Sequence, residues 1–177
     1  MEKNQIRTTN PMSPLIERID KKLVHKIFDD NVLIGDLQRV AESSDEFECQ
    51  MIVDLSHHFF FEHPLDHIPG MMFVEAGRQA GIACSHLFLG IPFDTQFISR
   101  GCNVQFVDFG ETHRPVKMRT RFKDTVHRKG TILEAHLETE FYQQERLVCS
   151  MTGDWKMYPR EIYERFRSKQ KPSGADH

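Results

Sequence analysis

Hydrophobic and polar residues alternate along much of the chain, which is the pattern of half-buried β-strands. In residues 46–55, Phe47, Cys49, Met51 and Val53 share one face, and mostly polar residues occupy the other. The same pattern predicts strands, in chain order, at residues 23–28, 32–39, 46–55, 96–109, 116–123, 131–142 and 146–158. Short polar turns separate the last three strands, so we expect them to form an antiparallel meander.

One segment, at about residues 69–89, has the length and composition of a helix instead. Pro69 suits a first helical turn, and Gly90 is typical of a helix end. Gly77 and Gly81 lie one turn apart among other small residues. Because glycine inside a helix costs roughly 0.5–1 kcal/mol relative to alanine, we expect close packing there. The pattern therefore predicts an α+β fold, with one central helix packed across a curved antiparallel sheet.

The 177 residues suit one domain with two tails. We expect residues 1–19 to form a loose N-terminal arm, residues 20–158 the domain, and residues 159–177 a short helix and tail. The formal net charge of −3 makes no case for nucleic acid or membrane as a partner. The sequence shows no apolar span, no signal segment and no paired cysteine spacing, so a cytoplasmic protein with reduced thiols is expected.

Reactive polar side chains are densest between residues 56 and 79, in a loop that leads into the helix. The loop contains four histidines: His57, His58, His63 and His67. Glu75, Arg78 and Gln79 follow on the first turns of the helix. We expect a carboxylate on this largely apolar helix to be desolvated and to have a raised pKa, which suits a general acid or base. A nearby loop histidine would complete an acid–base pair.

These residues also have simpler interpretations. Glu75 can favour the helix dipole from the first turns, and Arg78 can pair with it at i, i+3. His63 and His67 can cap the helix or bond to loop backbone. Together with Asp66 they are metal-ligand types, but a proline between the histidines keeps them off one helical face and the sequence offers no matching cluster. No metal and no cofactor are therefore expected.

The motif from His63 to Ala80 resembles the signature of the A-factor biosynthesis (AfsA-type) hotdog family. It reads His-Pro-x-Asp-His-x-Pro-Gly-Met-x-x-x-Glu-Ala-x-Arg-Gln-Ala. Residues 90–97, after the helix, and residues 23–34, before it, are also similar to that family, so the resemblance covers about residues 20–158. It implies a hotdog fold, in which an antiparallel sheet wraps a long central helix, and chemistry on acyl thioesters.

The resemblance implies a particular reaction. Members of this family transfer a β-ketoacyl group from acyl carrier protein or coenzyme A to a hydroxyl of dihydroxyacetone phosphate, on the way to butyrolactone or butenolide signals. The expected catalytic residues are Glu75 with His67 or His63. The backbone N–H groups at the helix start would polarise the thioester carbonyl, and Arg78 would meet a phosphate. The expected substrate-binding residues are Arg78, Gln79, Asp66, Gly70 and Met71.

Other activities stay open. The pattern His…Pro-Gly-x-x-x-x-Glu is distantly similar to β-hydroxyacyl-thioester dehydratases, in which Glu75 and His63 would handle two protons. If water receives the acyl group, the chain is a thioesterase. The non-enzyme alternative is a dimer that binds an acyl chain without turnover. A dehydratase acting on a neutral chain needs no extra cation, so Arg78 favours acyl transfer.

The resemblance also bears on assembly. The related enzymes carry two tandem hotdog units and this chain has room for one, so we expect a homodimer that completes its site across the sheet edge. We expect the acyl chain in a tunnel beside the helix, near Met71, Met72, Phe73 and Ile82.

Basic residues alternate with other residues along one strand. This pattern predicts a solvated sheet face or, less commonly, a docking face for a carrier protein. Its residues are Arg114, Lys117, Arg119 and Arg121.

Overall fold

The computed structural model describes residues 16–42, 44–128 and 131–170. Within these ranges the strands are β1 (Ile34–Arg39), β2 (Glu46–Met51), β3 (Thr95–Phe106), β4 (Val116–Arg128), β5 (Thr131–Gln143) and β6 (Arg146–Pro159). The helices are α1 (Gly70–Phe88) and α2 (Arg160–Gln170), and two short 3-10 helices, Lys21–Val24 and Asp29–Asn31, precede β1. No helix in these ranges has the length and apolar character needed to cross a membrane.

The strands form one antiparallel sheet in the order β1-β2-β4-β5-β6-β3. The last three strands in the chain form the expected meander, and β3 returns to pair with β6 at the far edge. Helix α1 packs on one face of this sheet and buries eleven residues, including Met72, Phe73 and Ile82. The α+β prediction of a central helix held by an antiparallel sheet is confirmed.

The predicted strand at residues 23–28 is wrong. These residues instead begin in the first 3-10 helix, whose start is capped by the Asp20 side chain accepting a hydrogen bond from the Lys22 N–H. That helix ends at His25, which adopts a left-handed backbone (φ 56°) that no strand can continue. Val24 is buried, so the segment is apolar because it packs against the core and not because it pairs as a strand.

The remaining predicted elements are confirmed with shifted ends. The central helix is one residue shorter at each end than expected, and the short C-terminal helix reaches Gln170. Most of the predicted N-terminal arm, residues 1–15, lies outside the described residues. Residues 16–19 run beside β1, where Arg18 forms a bridge with Gly35.

Two glycines allow α1 to lie close against β5 and β6. A Cβ atom at Gly81 would lie 2.6 Å from Leu137 Cδ2 and 2.8 Å from Trp155 Cη2. A Cβ atom at Gly77 would lie 2.5 Å from the terminal methyl of Met151. The packing reason expected for these glycines is therefore present.

The basic residues of β4 lie on the outer face of the sheet, and cross-strand glutamates engage them. Arg119 Nη2 lies 2.7 Å from Glu48 Oε1, and Lys117 Nζ lies 3.0 Å from Glu48 Oε2. Arg121 Nη1 lies 3.1 Å from Glu140 Oε2. These contacts support the interpretation as a charge-paired outer face, and ion pairs at a protein surface each contribute about 0–1 kcal/mol.

We expect Gly81→Ala to lower the free energy of unfolding by about 1–2 kcal/mol. Alanine is the better helix former by roughly 0.5–1 kcal/mol, but forcing a methyl against the rigid indole of Trp155 costs about 1–3 kcal/mol. Gly77→Ala is the matched control, because it first meets the flexible end of Met151 and is expected to lose less stability. Urea unfolding of the three proteins tests this. A Gly81→Ala protein as stable as the natural chain would contradict it.

Candidate active site

Glu75, on the second turn of α1, is the centre of a hydrogen-bonded network formed with Lys26, Arg78 and Gln79. Its Oε1 lies 2.7 Å from Lys26 Nζ and accepts from Arg78 Nη2 at 2.8 Å and from Gln79 Nε2 at 2.9 Å. Its Oε2 accepts from Arg78 Nε at 2.8 Å. Oε1 thus receives three of the four contacts and Oε2 receives one, and two of the three partner residues are cations.

The expectation of a raised pKa at Glu75 is wrong. Burial acts in that direction, but the hydrogen bonds and charges of Arg78 and Lys26, with the Gln79 amide, outweigh it and lower the pKa from 4.5 to about 2. Glu75 is therefore an anion at neutral pH. Of the two cations that hold it ionised, Arg78 comes from its own helix and Lys26 from the segment before β1.

Gln79 fixes the geometry of this network. It is fully buried; its Oε1 accepts the Leu33 N–H at 2.8 Å, and its Nε2 donates to the Asn31 carbonyl at 2.8 Å as well as to Glu75. Sequence analysis expected it to bind substrate. The structure commits its amide to protein groups, which gives Gln79 a positioning role.

Lys26 reaches Glu75 from the end of the first 3-10 helix. Its backbone N–H donates to the Lys21 carbonyl at 2.9 Å. The preceding residue, His25, is pinned to α1, because its Nε2 lies 2.9 Å from His86 Nε2. Sequence analysis did not select Lys26, and the only signal for it was the family resemblance of residues 23–34.

A cavity of about 400 Å³, here called the histidine cavity, opens beside Glu75. Its lining consists of Lys26, Asn31, His57, His58, Phe59, Phe60, Met71 and Glu75. His57 is buried, and burial together with the neighbouring His58 lowers its pKa. Because its Nδ1 accepts the Phe59 N–H at 3.3 Å, the neutral ring carries its proton on Nε2 and can donate it to a ligand.

The two histidines expected to be catalytic lie outside this cavity. His63 is exposed. His67 Nδ1 lies 2.8 Å from Asp66 Oδ1, and its ring packs edge-on against Phe109. Of the four loop histidines, the pair that lines the cavity with Glu75 is His57 and His58.

The start of α1 borders the histidine cavity. Met71 is exposed and lines the histidine cavity one turn before Glu75. The N-cap residue, Pro69, has no side-chain group that could cap the helix start. Gly70 allows the ring of Phe106 to approach, because a Cβ atom there would lie 2.7 Å from Phe106 Cζ.

A second cavity, here called the apolar slot, lies between α1 and the edge strand β3 and measures about 240 Å³. Its lining consists of Val74, Arg78, Ile82, Phe97, Ser99, Cys102, Met151, Gly153 and Trp155. Ile82 thus lines a cavity beside the helix as expected, whereas Met72 and Phe73 are packed in the core. Arg78 borders the slot and also binds Glu75, so this ion pair separates the two cavities.

No group of three His, Cys, Asp or Glu side chains suited to a metal ion occurs in the part of the chain that the structure describes.

The long helix across an antiparallel sheet, with a carboxylate near its start, defines a hotdog-fold protein. The chain belongs to the A-factor biosynthesis hotdog domain family, whose model matches residues 7–159. It is similar to the 2-oxo-3-(phosphooxy)propyl 3-oxoalkanoate synthase of Streptomyces virginiae, with 35% identity over 68 residues. That match covers 38% of this chain and 21% of the relative, so the aligned part spans about a fifth of the relative's length.

Solved structures agree on the fold. A hot-dog-like protein from Thermanaerovibrio acidaminovorans superposes with a TM-score of 0.57 at 10% identity, covering 75% of this chain and 93% of that protein. A thioesterase from Haemophilus influenzae gives a TM-score of 0.53 at 16% identity, covering 72% and 79%. At these identities the likeness shows the hotdog fold alone, and that expectation is confirmed.

We expect the Glu75→Gln variant to lose stability less steeply in acid than the natural chain. A carboxyl group whose pKa is lowered by folding stabilises the fold above its unfolded value of 4.5, and this contribution disappears as the pH falls toward about 2. The difference corresponds to at most about 3 kcal/mol.

Urea unfolding at several values between about pH 6 and pH 3 measures this effect. Glu62→Gln, at an exposed position of the loop, is the matched control and should follow the natural chain. Identical pH slopes for Glu75→Gln and the natural chain would show that Glu75 is not held ionised by its neighbours.

Proposed function

We propose that this chain is an acyl-transferring enzyme that moves a β-ketoacyl group from a carrier-protein or coenzyme A thioester to a hydroxyl of a phosphorylated acceptor such as dihydroxyacetone phosphate. The observation that carries the proposal is the position of the Glu75–Arg78 pair between the apolar slot and the histidine cavity. The Streptomyces virginiae relative supports it, because that protein's name describes an ester of a 3-oxoalkanoate with a phosphooxy-propyl group.

The apolar slot suits the acyl chain. At about 240 Å³ it is smaller than the roughly 300–1,000 Å³ pockets that enclose whole ligands, so it fits a chain and leaves the carrier outside. Val74 and Ile82 line it from α1, and Trp155 lines it from the sheet. A chain in the slot places the thioester carbonyl toward Arg78 and the start of α1, where backbone N–H groups favour developing negative charge.

The histidine cavity suits the acceptor. Lys26 provides a positive charge and His57 a neutral N–H donor, both of which favour phosphate oxygens. Glu75 borders the same cavity and is the proposed proton acceptor for the hydroxyl. In the transfer, the hydroxyl oxygen bonds to the carbonyl carbon, the carbon–sulfur bond breaks, and the thiolate leaves with a proton. His58, exposed at the cavity wall, is the second group able to carry that proton.

We also propose that two copies pair through β3. This strand lies at the sheet edge, runs for 12 residues and contains neither proline nor lysine, the residues that commonly protect such edges. The opposite edge, β1, has six residues, and residues 16–19 lie beside it. Large apolar side chains are exposed next to β3 and the helix start, and a second copy paired there would close the open side of the slot. They are Met71, Phe106, Val107 and Phe109.

The reaction is tested by incubating the protein with a β-ketoacyl thioester, with and without dihydroxyacetone phosphate, and analysing products by mass spectrometry. We expect a phosphorylated ester that forms only with the acceptor. Glu75→Gln should lower its rate by about 100-fold or more, the usual contribution of general acid–base catalysis. Glu62→Gln is the control and should retain the rate.

Three other results would overturn the transfer proposal. Free acid as the only product would indicate a thioesterase. Loss of water from a β-hydroxyacyl thioester, without ester formation, would indicate a dehydratase. Binding without turnover would indicate an acyl-binding dimer.

The dimer is tested by sedimentation. We expect the natural chain to sediment at twice its mass of 20.8 kDa, and Val107→Asp/Phe109→Asp to shift it toward monomer, because buried like charges oppose association. Ile27→Asp is the control, since Ile27 is 78% exposed and lies before β1. A monomeric natural chain at micromolar concentration would contradict the proposal.

A further inference from the structure

We propose that Lys26 gates Glu75: its ammonium group occupies the carboxylate until the phosphate of the acceptor draws it away. The inference deepens the proposed function and rests on it, since it concerns the same site. It assigns a role to a residue outside the helix motif. It also accounts for a carboxylate that is placed beside a cavity yet is held by two cations.

In the free protein, the Glu75 carboxylate is already bound by neighbouring side chains. Four contacts from three residues hold Glu75, as described above, and two of these residues are cations, so the carboxylate is a weak base toward an incoming hydroxyl. One donor must withdraw before Glu75 becomes a stronger base. The question is which of the three can do so.

Two of the donors are held in place. The Gln79 amide is buried, and its two other hydrogen bonds, to Leu33 and Asn31, fix its orientation. Arg78 lies one turn along the same helix and binds both carboxylate oxygens through a planar fork, which makes it the more rigid of the two cations.

Lys26 is the donor that can move. Its ammonium carries three hydrogens on a flexible four-carbon stem and lines the histidine cavity, where a ligand can reach it. Its backbone stays fixed, because its N–H donates to the Lys21 carbonyl and the adjacent His25 contacts His86. The side chain can therefore turn from Glu75 into the cavity without unfolding the segment.

A phosphate monoester supplies the competing charge. It carries about −1.5 to −2 at neutral pH against the −1 of a carboxylate, and it offers three strong acceptor oxygens. When Lys26 turns to the phosphate, Glu75 loses one of its two neighbouring cations and becomes a stronger base. Arg78 and Gln79 continue to hold the carboxylate in place.

The proton then has a complete route. The acceptor O–H bond breaks and its proton passes to the Glu75 carboxylate, while the oxygen attacks the thioester carbonyl carbon. Collapse of the tetrahedral intermediate breaks the carbon–sulfur bond, and the leaving thiolate takes the proton from Glu75. Water brings no phosphate, so Lys26 stays on Glu75 and hydrolysis of the thioester is suppressed.

The test is hydrolysis of a β-ketoacyl thioester in the presence of methyl phosphate, a phosphate monoester without an alcohol hydroxyl to accept the acyl group. For the natural chain we expect hydrolysis to be slow and to rise saturably, by about tenfold or more, as methyl phosphate is added. Lys26→Met should hydrolyse the thioester faster without phosphate and gain nothing from it. Lys26→Arg should restore the low rate, and Lys22→Met, at an exposed lysine of the same segment, should behave as the natural chain.

A binding measurement separates this inference from the transfer reaction. Calorimetry with methyl phosphate should show binding to the natural chain and loss of binding in Lys26→Met, with melting temperatures confirming that both are folded. Ester formation without any phosphate effect on hydrolysis would overturn the gate and leave the transfer function standing. Phosphate-stimulated hydrolysis without ester formation would support the gate and overturn the transfer. If no thioester is consumed, equal phosphate binding by both proteins overturns the gate, and binding lost in Lys26→Met supports it.

Discussion

The buried amide of Gln79 joins the helix, the chain before β1 and the carboxylate of the site. It accepts from Leu33 and donates to Asn31, so it fixes the segment that carries Lys26 against α1. It also donates to Glu75 and sets the direction of that side chain. A buried polar group left without its partner costs about 1–3 kcal/mol, so replacing this amide would weaken the fold and the site together. One side chain thus couples local stability to the geometry of the carboxylate.

The position of α1 on the sheet follows from its glycines. Gly77 and Gly81 bring the helix down onto β5 and β6, where Met151, Leu137 and Trp155 fill the space that side chains would need. The neighbouring helix face points toward β3 and borders the apolar slot. Arg78 lies on that face and reaches back to Glu75, so a single arginine contacts both the slot and the carboxylate.

The strands could be predicted from sequence because alternation of period two is a direct consequence of strand geometry. Residues 23–28 could not, since a short apolar run fits a strand and a buried 3-10 helix equally well. Glu75 and Arg78 could be selected because they share one helix. Lys26 and His57 could not, because their approach to Glu75 depends on how distant segments pack. The lowered pKa of Glu75 escaped prediction for the same reason: burial was foreseeable, and the second cation was not.

A hotdog fold alone does not decide whether water or an alcohol receives an acyl group, since proteins of this shape include a thioesterase from Haemophilus influenzae. Whether water or an alcohol reacts depends on the groups that surround the thioester. In this chain the carboxylate nearest the two cavities is bound by two cations, and an anion in that state is a weak base. Water offers nothing to change that state, whereas a phosphorylated alcohol supplies a charge that competes for one of the cations. In the proposed function, the two cations that keep Glu75 a weak base in the free protein thus provide a physical basis for preferring such an alcohol over water.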